Sequence, residues 1–107
     1  MEPVPKPPAH LTKEAKSWWR KINDEWELGA DALLLLRGAL EAFDRCQQAR
    51  KLLAKEGLMV LDRFEQQKAH PAVSIERDSR LQMVKCWRSL NLDVEPPRSG
   101  PGRPPGR

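Results

Sequence analysis

Lys13, Lys16 and Arg20 stand three and four residues apart, with Lys21 beside the last of them, and Asp24, Glu25 and Glu27 follow. On a helix the first three share one face, which would set a row of positive charge against a row of phosphates. The order runs against the helix dipole, which prefers acids at the start and bases at the end by ~0.3–1 kcal/mol per charge. A sequence that breaks a local rule often does so where it functions. Three readings are open. The cations and the free N–H groups of the helix start form an anion site. The basic end of one copy meets the acidic end of the next, a head-to-tail contact that suits a ring. Or the charges make a solvated face with no partner.

A second group of cations, Arg98, Arg103 and Arg107, lies in a Pro- and Gly-rich C-terminal stretch. Gly102-Arg103-Pro104 is similar to the core of an AT-hook, whose extended arginine enters the minor groove, although Pro101 stands where that motif carries arginine. The alternative is a solubilising tail, which would still add salt-sensitive attraction to phosphate.

No other constellation points to chemistry. There is no Gly-rich phosphate loop, no HExxH and no cysteine pair at metal-ligand spacing. His10, His70, Cys46 and Cys86 would form a zinc site only if folding happened to gather them, and both cysteines fall mid-helix on apolar faces, where a thiol acts as a small hydrophobe. The carboxylates fall on helix surfaces. The expectation is a protein with no catalytic residues, no metal and no cofactor. Two cysteines are too few for a disulfide scaffold, which suggests reduced thiols and a cytoplasmic setting. The longest apolar run, Ala32-Leu33-Leu34-Leu35-Leu36, is far short of the ~20 residues of a membrane span. Met1-Glu2-Pro3-Val4-Pro5 has neither the basic start nor the apolar stretch of a signal peptide. The net charge of +4, from 19 Lys and Arg against 15 Asp and Glu, is too mild to establish nucleic-acid binding by itself.

The elements that must position these residues are mostly helical. A length of 107 residues suits one domain. All but one of the 10 prolines lie near the two ends, so residues 1–10 and 93–107 read as extended arms around a folded part at 11–92. Thr12 is a suitable N-cap for a first helix over 12–27. Leu11, Ala15, Trp18, Ile22 and Trp26, with Trp19 beside them, form its apolar stripe. A second helix over 31–56 begins at Asp31 and stops at Gly57. Its polar residues Arg37, Glu41, Asp44, Gln48, Lys51 and Lys55 fall on one stripe, and most of the remaining circumference is apolar, from Leu33 to Leu53. A helix covered on one side needs an apolar arc of only ~100°. Two further short helices would struggle to cover so wide an arc, which implies a partner chain. Residues 58–61 read as a strand, 62–67 as a polar loop and 68–70 as a returning strand. Pro71 then opens a third helix, 71–90, with Ala72, Ile75, Ser79, Met83, Cys86, Trp87 and Leu90 on one face and Arg77, Lys85 and Arg88 on the other. The fold expected is mainly α: three helices with a short β-hairpin between the second and third, and Pro-rich arms. Leu33, Leu36, Leu40 and Phe43 should pack against Trp18, Trp19, Ile22 and Trp26, partly across subunits.

Several segments, in order and at spacing, resemble the phage terminase small subunit family. They are Pro8-Ala9-His10-Leu11, Ala15-Lys16-Ser17-Trp18-Trp19-Arg20-Lys21-Ile22, Leu40-Glu41-Ala42-Phe43-Asp44-Arg45, Glu56-Gly57-Leu58, Asp62-Arg63-Phe64, His70-Pro71-Ala72, Glu76-Arg77-Asp78 and Leu90-Asn91-Leu92. The likeness covers about residues 8–98. Two positions depart from the family pattern: Glu65 stands where the hairpin usually has glycine, and Asn91 replaces a glycine near the end of the last helix. The resemblance implies a non-enzymatic protein of the host bacterium's cytoplasm that binds double-stranded viral DNA, assembles as a homo-oligomeric ring and hands the DNA to the terminase large subunit. It assigns no DNA-contacting residue. The expected DNA-binding residues, Lys13, Lys16, Arg20, Lys21, Arg98, Arg103 and Arg107, rest on charge alone. Two other readings stand beside it: a phage DNA-binding regulator, although a hairpin and a long helix interrupt any helix-turn-helix, and a purely structural oligomerisation module.

Overall fold

The computed structural model describes residues 4–92 and Pro97. Helix α1 spans Lys13–Glu25, α2 Ala30–Glu56 and α3 Ala72–Leu90, with strands β1 (Met59–Leu61) and β2 (Gln67–Ala69) paired antiparallel between α2 and α3. This is the three-helix, one-hairpin architecture expected from the sequence. Among the described residues, no helix is long and apolar enough to cross a membrane.

The amphipathic pattern of α1 turns Ala15, Trp19 and Ile22 inward. Thr12 is its N-cap and its hydroxyl accepts the Ala15 N–H at 3.2 Å. The helix stops at Glu25, so Trp26 leaves it in extended conformation and packs against the core only in part. Helix α2 begins one residue before Asp31, at Ala30 after an N-cap Gly29, and Asp31 instead supplies the negative charge of the first turn. Gly57 closes α2 at φ 86° and ψ 170°, a conformation open almost only to glycine.

α3 runs back along α2. Cys46 and Arg50 of α2 reach Glu76 near the start of α3, while Gly38 lies opposite Cys86 near its end. α1 joins the pair through Trp18, which meets Trp87 edge to face at a centroid distance of 6.0 Å. Leu36, Leu40, Phe43 and Ile22 are fully enclosed, and Ala39, Ala42, Cys46 and Ala49 are also buried. The wide apolar arc of α2 is therefore covered mostly within one chain, against expectation. Its small residues let α1 and α3 approach on two sides, so the larger leucines are reached without a partner. Leu33 is partly buried, and Leu34 is the large apolar side chain that α2 leaves most open. Ile75, expected on the inner face of α3, is 49% exposed.

The hairpin has a three-residue loop of Arg63, Phe64 and Glu65. Asp62 organises it: its carbonyl accepts the Glu65 N–H, and its side chain accepts the N–H groups of Phe64 and Gln66. Glu65 takes φ 61°, the left-handed residue that follows the turn in such loops. Asn91 takes φ 54° as the C-cap of α3. The two positions where the chain departs from the family's glycines are thus the described non-glycine residues with positive φ. His70 links the hairpin to α3. Its Nδ1 accepts the Ala72 N–H at 3.0 Å and its Nε2–H donates to Glu56 at 2.8 Å, so a buried imidazole caps a helix whose own N-cap, Pro71, makes no side-chain bond.

Candidate nucleic-acid interface

Of the charged residues singled out in the sequence, Lys13, Lys16, Arg20 and Lys21 can be placed. Arg98, Arg103 and Arg107 lie outside the described residues. Lys13, Lys16 and Arg20 form a row on the side of α1 away from buried Ala15, Trp19 and Ile22. Lys13 and Arg20 are exposed and Lys16 is half-buried. About 10 Å of helix axis separates the first from the last. Lys21 stands to one side, with Nζ 5.2 Å from the Trp18 ring centroid, a cation–π placement that holds the ammonium at the surface.

The polar environment of this helix is asymmetric. Among the described residues, no carboxylate forms an ion pair with Lys13, Lys16, Arg20 or Lys21. The same holds for the acids at the other end, Asp24, Glu25 and Glu27. At the helix start, however, an acid is already in place. Asp44 of α2 accepts the Thr12 N–H at 2.9 Å and the Thr12 hydroxyl at 2.6 Å. The negative charge that a helix dipole favours at its start is thus supplied from within the chain. Thr12 and Asp44 occupy part of the helix start, and the row of cations is what α1 leaves without an ion-pair partner among the described residues.

Sequence reasoning missed what holds this row still. Glu41 and Asp44, in the first half of the α2 polar stripe, bind the N-terminal segment at the surface. Glu41 accepts His10 Nε2–H at 2.6 Å and Arg37 Nε–H at 3.3 Å, and Asp44 holds Thr12. Burial alone would raise the Glu41 carboxyl, but the His10 and Arg37 hydrogen bonds outweigh it and keep it below its ordinary value. The Trp19 indole donates to the Pro5 carbonyl at 2.8 Å, which ties residues ahead of α1 onto its buried side. The signal was present as the carboxylates at 41 and 44, one helical turn apart, but nothing local names their partners, 31 and 32 residues away.

Further along, Glu76 accepts from Arg50 at 3.2 Å, Arg80 at 3.3 Å and the Cys46 thiol at 3.5 Å. Burial would raise Glu76, but the two arginines more than offset it and leave the carboxyl below its ordinary value. Burial pushes the Cys46 thiol up, so it is a packed group rather than a reactive thiolate. Cys86, His10 and His70 lie in other settings, and the described residues contain no group of three or more metal-binding side chains.

A sequence model of the family described as phage terminase, small subunit, matches residues 15–96, well over half of the chain. No curated protein and no solved structure matches it.

Proposed function

The chain belongs to the phage terminase small subunit family, and from that premise we propose that it is a non-catalytic, DNA-binding oligomer that recognises viral DNA and delivers it to the terminase large subunit for packaging. It acts in the cytoplasm of the host bacterium, as a homo-oligomer closed into a ring, on double-stranded DNA. The observation that carries the DNA-binding part is the row Lys13, Lys16 and Arg20, with Lys21 at its side. These cations have no carboxylate partner among the described residues and stand on a helix whose start is locked by Thr12 and Asp44. A rigid row with no internal counter-charge is suited to phosphate oxygens, which position a protein on a duplex without reading its sequence. Arg98, Arg103 and Arg107 extend the same attraction along the C-terminal arm. Each copy presents a few such contacts, and assembly combines weak contacts into useful avidity.

The test is the salt dependence of DNA binding. Each phosphate neutralised contributes ~0.9 to the slope of log K against log salt, so Lys16→Gln with Arg20→Gln should flatten that slope by about two units. An unchanged slope removes the α1 row from the interface. Retention of the chain by the large subunit only when both cations are present would join binding to delivery.

A further inference from the structure

The hairpin is built differently from the rest of the chain. Leu58 is 64% exposed, Met59 50%, Leu61 64% and Phe64 69%, and neither strand packs extensively on a helix. Met59 and Leu61 share one strand face, opposite Ala69 and Gln67. A two-stranded ribbon is marginal by itself, and clustered exposed apolar side chains mark a contact surface. Lys51 and Lys55 lie in the last turns of α2, and Arg63 and Lys68 in the hairpin, none in an ion pair among the described residues. Of the acids nearby, Glu56 is engaged by His70 and Asp62 by the turn, while Glu65 stands exposed in the loop.

At the other end of α2, roughly 40 Å away along its axis, lies a surface of the opposite kind. The α1–α2 corner carries Asp24, Glu25, Glu27 and Asp31, and residues 22–36 contain no Lys or Arg. Leu34 is 69% exposed there, and the core covers Trp26 and Leu28 of the same corner only in part. One end is thus apolar with four cations against three acids over residues 51–70, the other apolar with four acids and no cation over residues 22–36.

We propose that the β1–β2 hairpin docks onto the α1–α2 corner of a second copy of this chain, with Leu61 and Phe64 against Leu34 and Trp26 and with Arg63 and Lys68 near Glu25 and Glu27. The complementary charge selects a second copy over a polyanion, which would have to cover bare leucines and a phenylalanine. Because the two surfaces differ, the contact is heterologous and repeats from copy to copy, as a ring requires. It leaves the cation row of α1 free. The inference rests on the homo-oligomer in the proposed function and supplies its interface.

The experiment measures self-association of the full chain by sedimentation across a concentration range, without DNA. Leu61→Lys with Phe64→Lys should weaken association at least tenfold, about the loss of one buried apolar side chain, with unchanged helical circular dichroism because both residues are exposed. Glu25→Lys with Glu27→Lys, and Arg63→Glu with Lys68→Glu, should each weaken it alone and recover it when the two variants are mixed. That recovery supports the pairing. A chain that is monomeric at every concentration overturns both the oligomer and its interface. An oligomer indifferent to Leu61→Lys with Phe64→Lys overturns the interface and spares the oligomer. Hairpin variants that weaken association while the charge-reversed pair shows no recovery overturn the corner as the receiving surface, and with it the proposal.

Discussion

The α2–α3 pair and the hairpin that joins them are both rich in large apolar residues, yet they bury them to opposite extents. Phe43 of α2 is 2% exposed, in the core that α1, α2 and α3 share; Phe64, at the hairpin tip, is 69% exposed, with the Arg63 guanidinium over its ring. The helices use apolar side chains to hold one chain together. The hairpin carries them to the outside, held in shape by backbone hydrogen bonds, by Asp62 and by the His70 link. Apolar surface stabilises a fold only when that fold removes it from water, so the hairpin residues contribute little to the single chain. Their cost in exposure makes sense for contact with something else.

The largest expected effect tests this contrast directly. Phe43→Ala should lower stability by about 3–5 kcal/mol, the range for deleting a buried aromatic ring, a large share of the ~5–15 kcal/mol that a domain possesses. Phe64→Ala should change it by no more than ~0.5 kcal/mol. Thermal or urea unfolding in dilute solution, where association does not add to apparent stability, compares the two. Similar losses at both positions would mean that the hairpin is packed in solution, and the distinction between the regions would disappear.

Much of the helical framework was legible because spacing and burial obey the same period. Leu36, Leu40 and Phe43 recur at helical steps, and so do Ala15, Trp19 and Ile22. Caps such as Thr12 and Gly57 are local signals, so boundaries came within a few residues. The errors came from non-local terms. The apolar arc of α2 seemed to need a second chain, because side-chain type does not reveal how closely a neighbour approaches. Gly38, Ala39, Ala42 and Ala49 allow α1 and α3 close enough to cover it. Asp44 read only as part of a polar stripe, although it binds Thr12 across 32 residues. At the candidate interface the cation row itself was legible from charge order, but the locks that hold α1 were not.

A smaller effect separates polar from apolar anchoring within the helical region. Glu76 joins α2 to α3 through Arg50 and Arg80, with its own side chain 16% exposed and theirs 37% and 45%. Solvent around the arginines weakens such pairs, so Glu76→Gln should cost about 1 kcal/mol at neutral pH. The sign with pH follows from its depressed carboxyl. A group held lower in the folded chain than in the unfolded one stabilises fully above the unfolded value, and the benefit fades as pH falls through the folded value. The gap between the two proteins should therefore narrow on acidification below the ordinary carboxylate range. Unfolding at a series of pH values checks it; a gap constant with pH would assign the loss to packing rather than charge.

The smallest effect concerns the backbone of the hairpin. Glu65 sits at φ 61°, where a side chain costs roughly 1–2 kcal/mol relative to its preferred region. Glycine has no such penalty but loses about 0.5–1 kcal/mol more conformational freedom on ordering. Glu65→Gly should then favour the closed turn by about 0.5–1 kcal/mol. Asn91→Gly should gain less, because asparagine tolerates the left-handed conformation at a helix end. Since the hairpin packs on little else, the gain at 65 should be local: slower amide exchange at Asp62, whose N–H donates to Gln66 across the turn at 2.9 Å, with almost no change in the unfolding midpoint of the helices. If the midpoint rises in step with that protection, the hairpin and the helices open as one unit. The hairpin would then be part of the fold rather than an appendage carried by it.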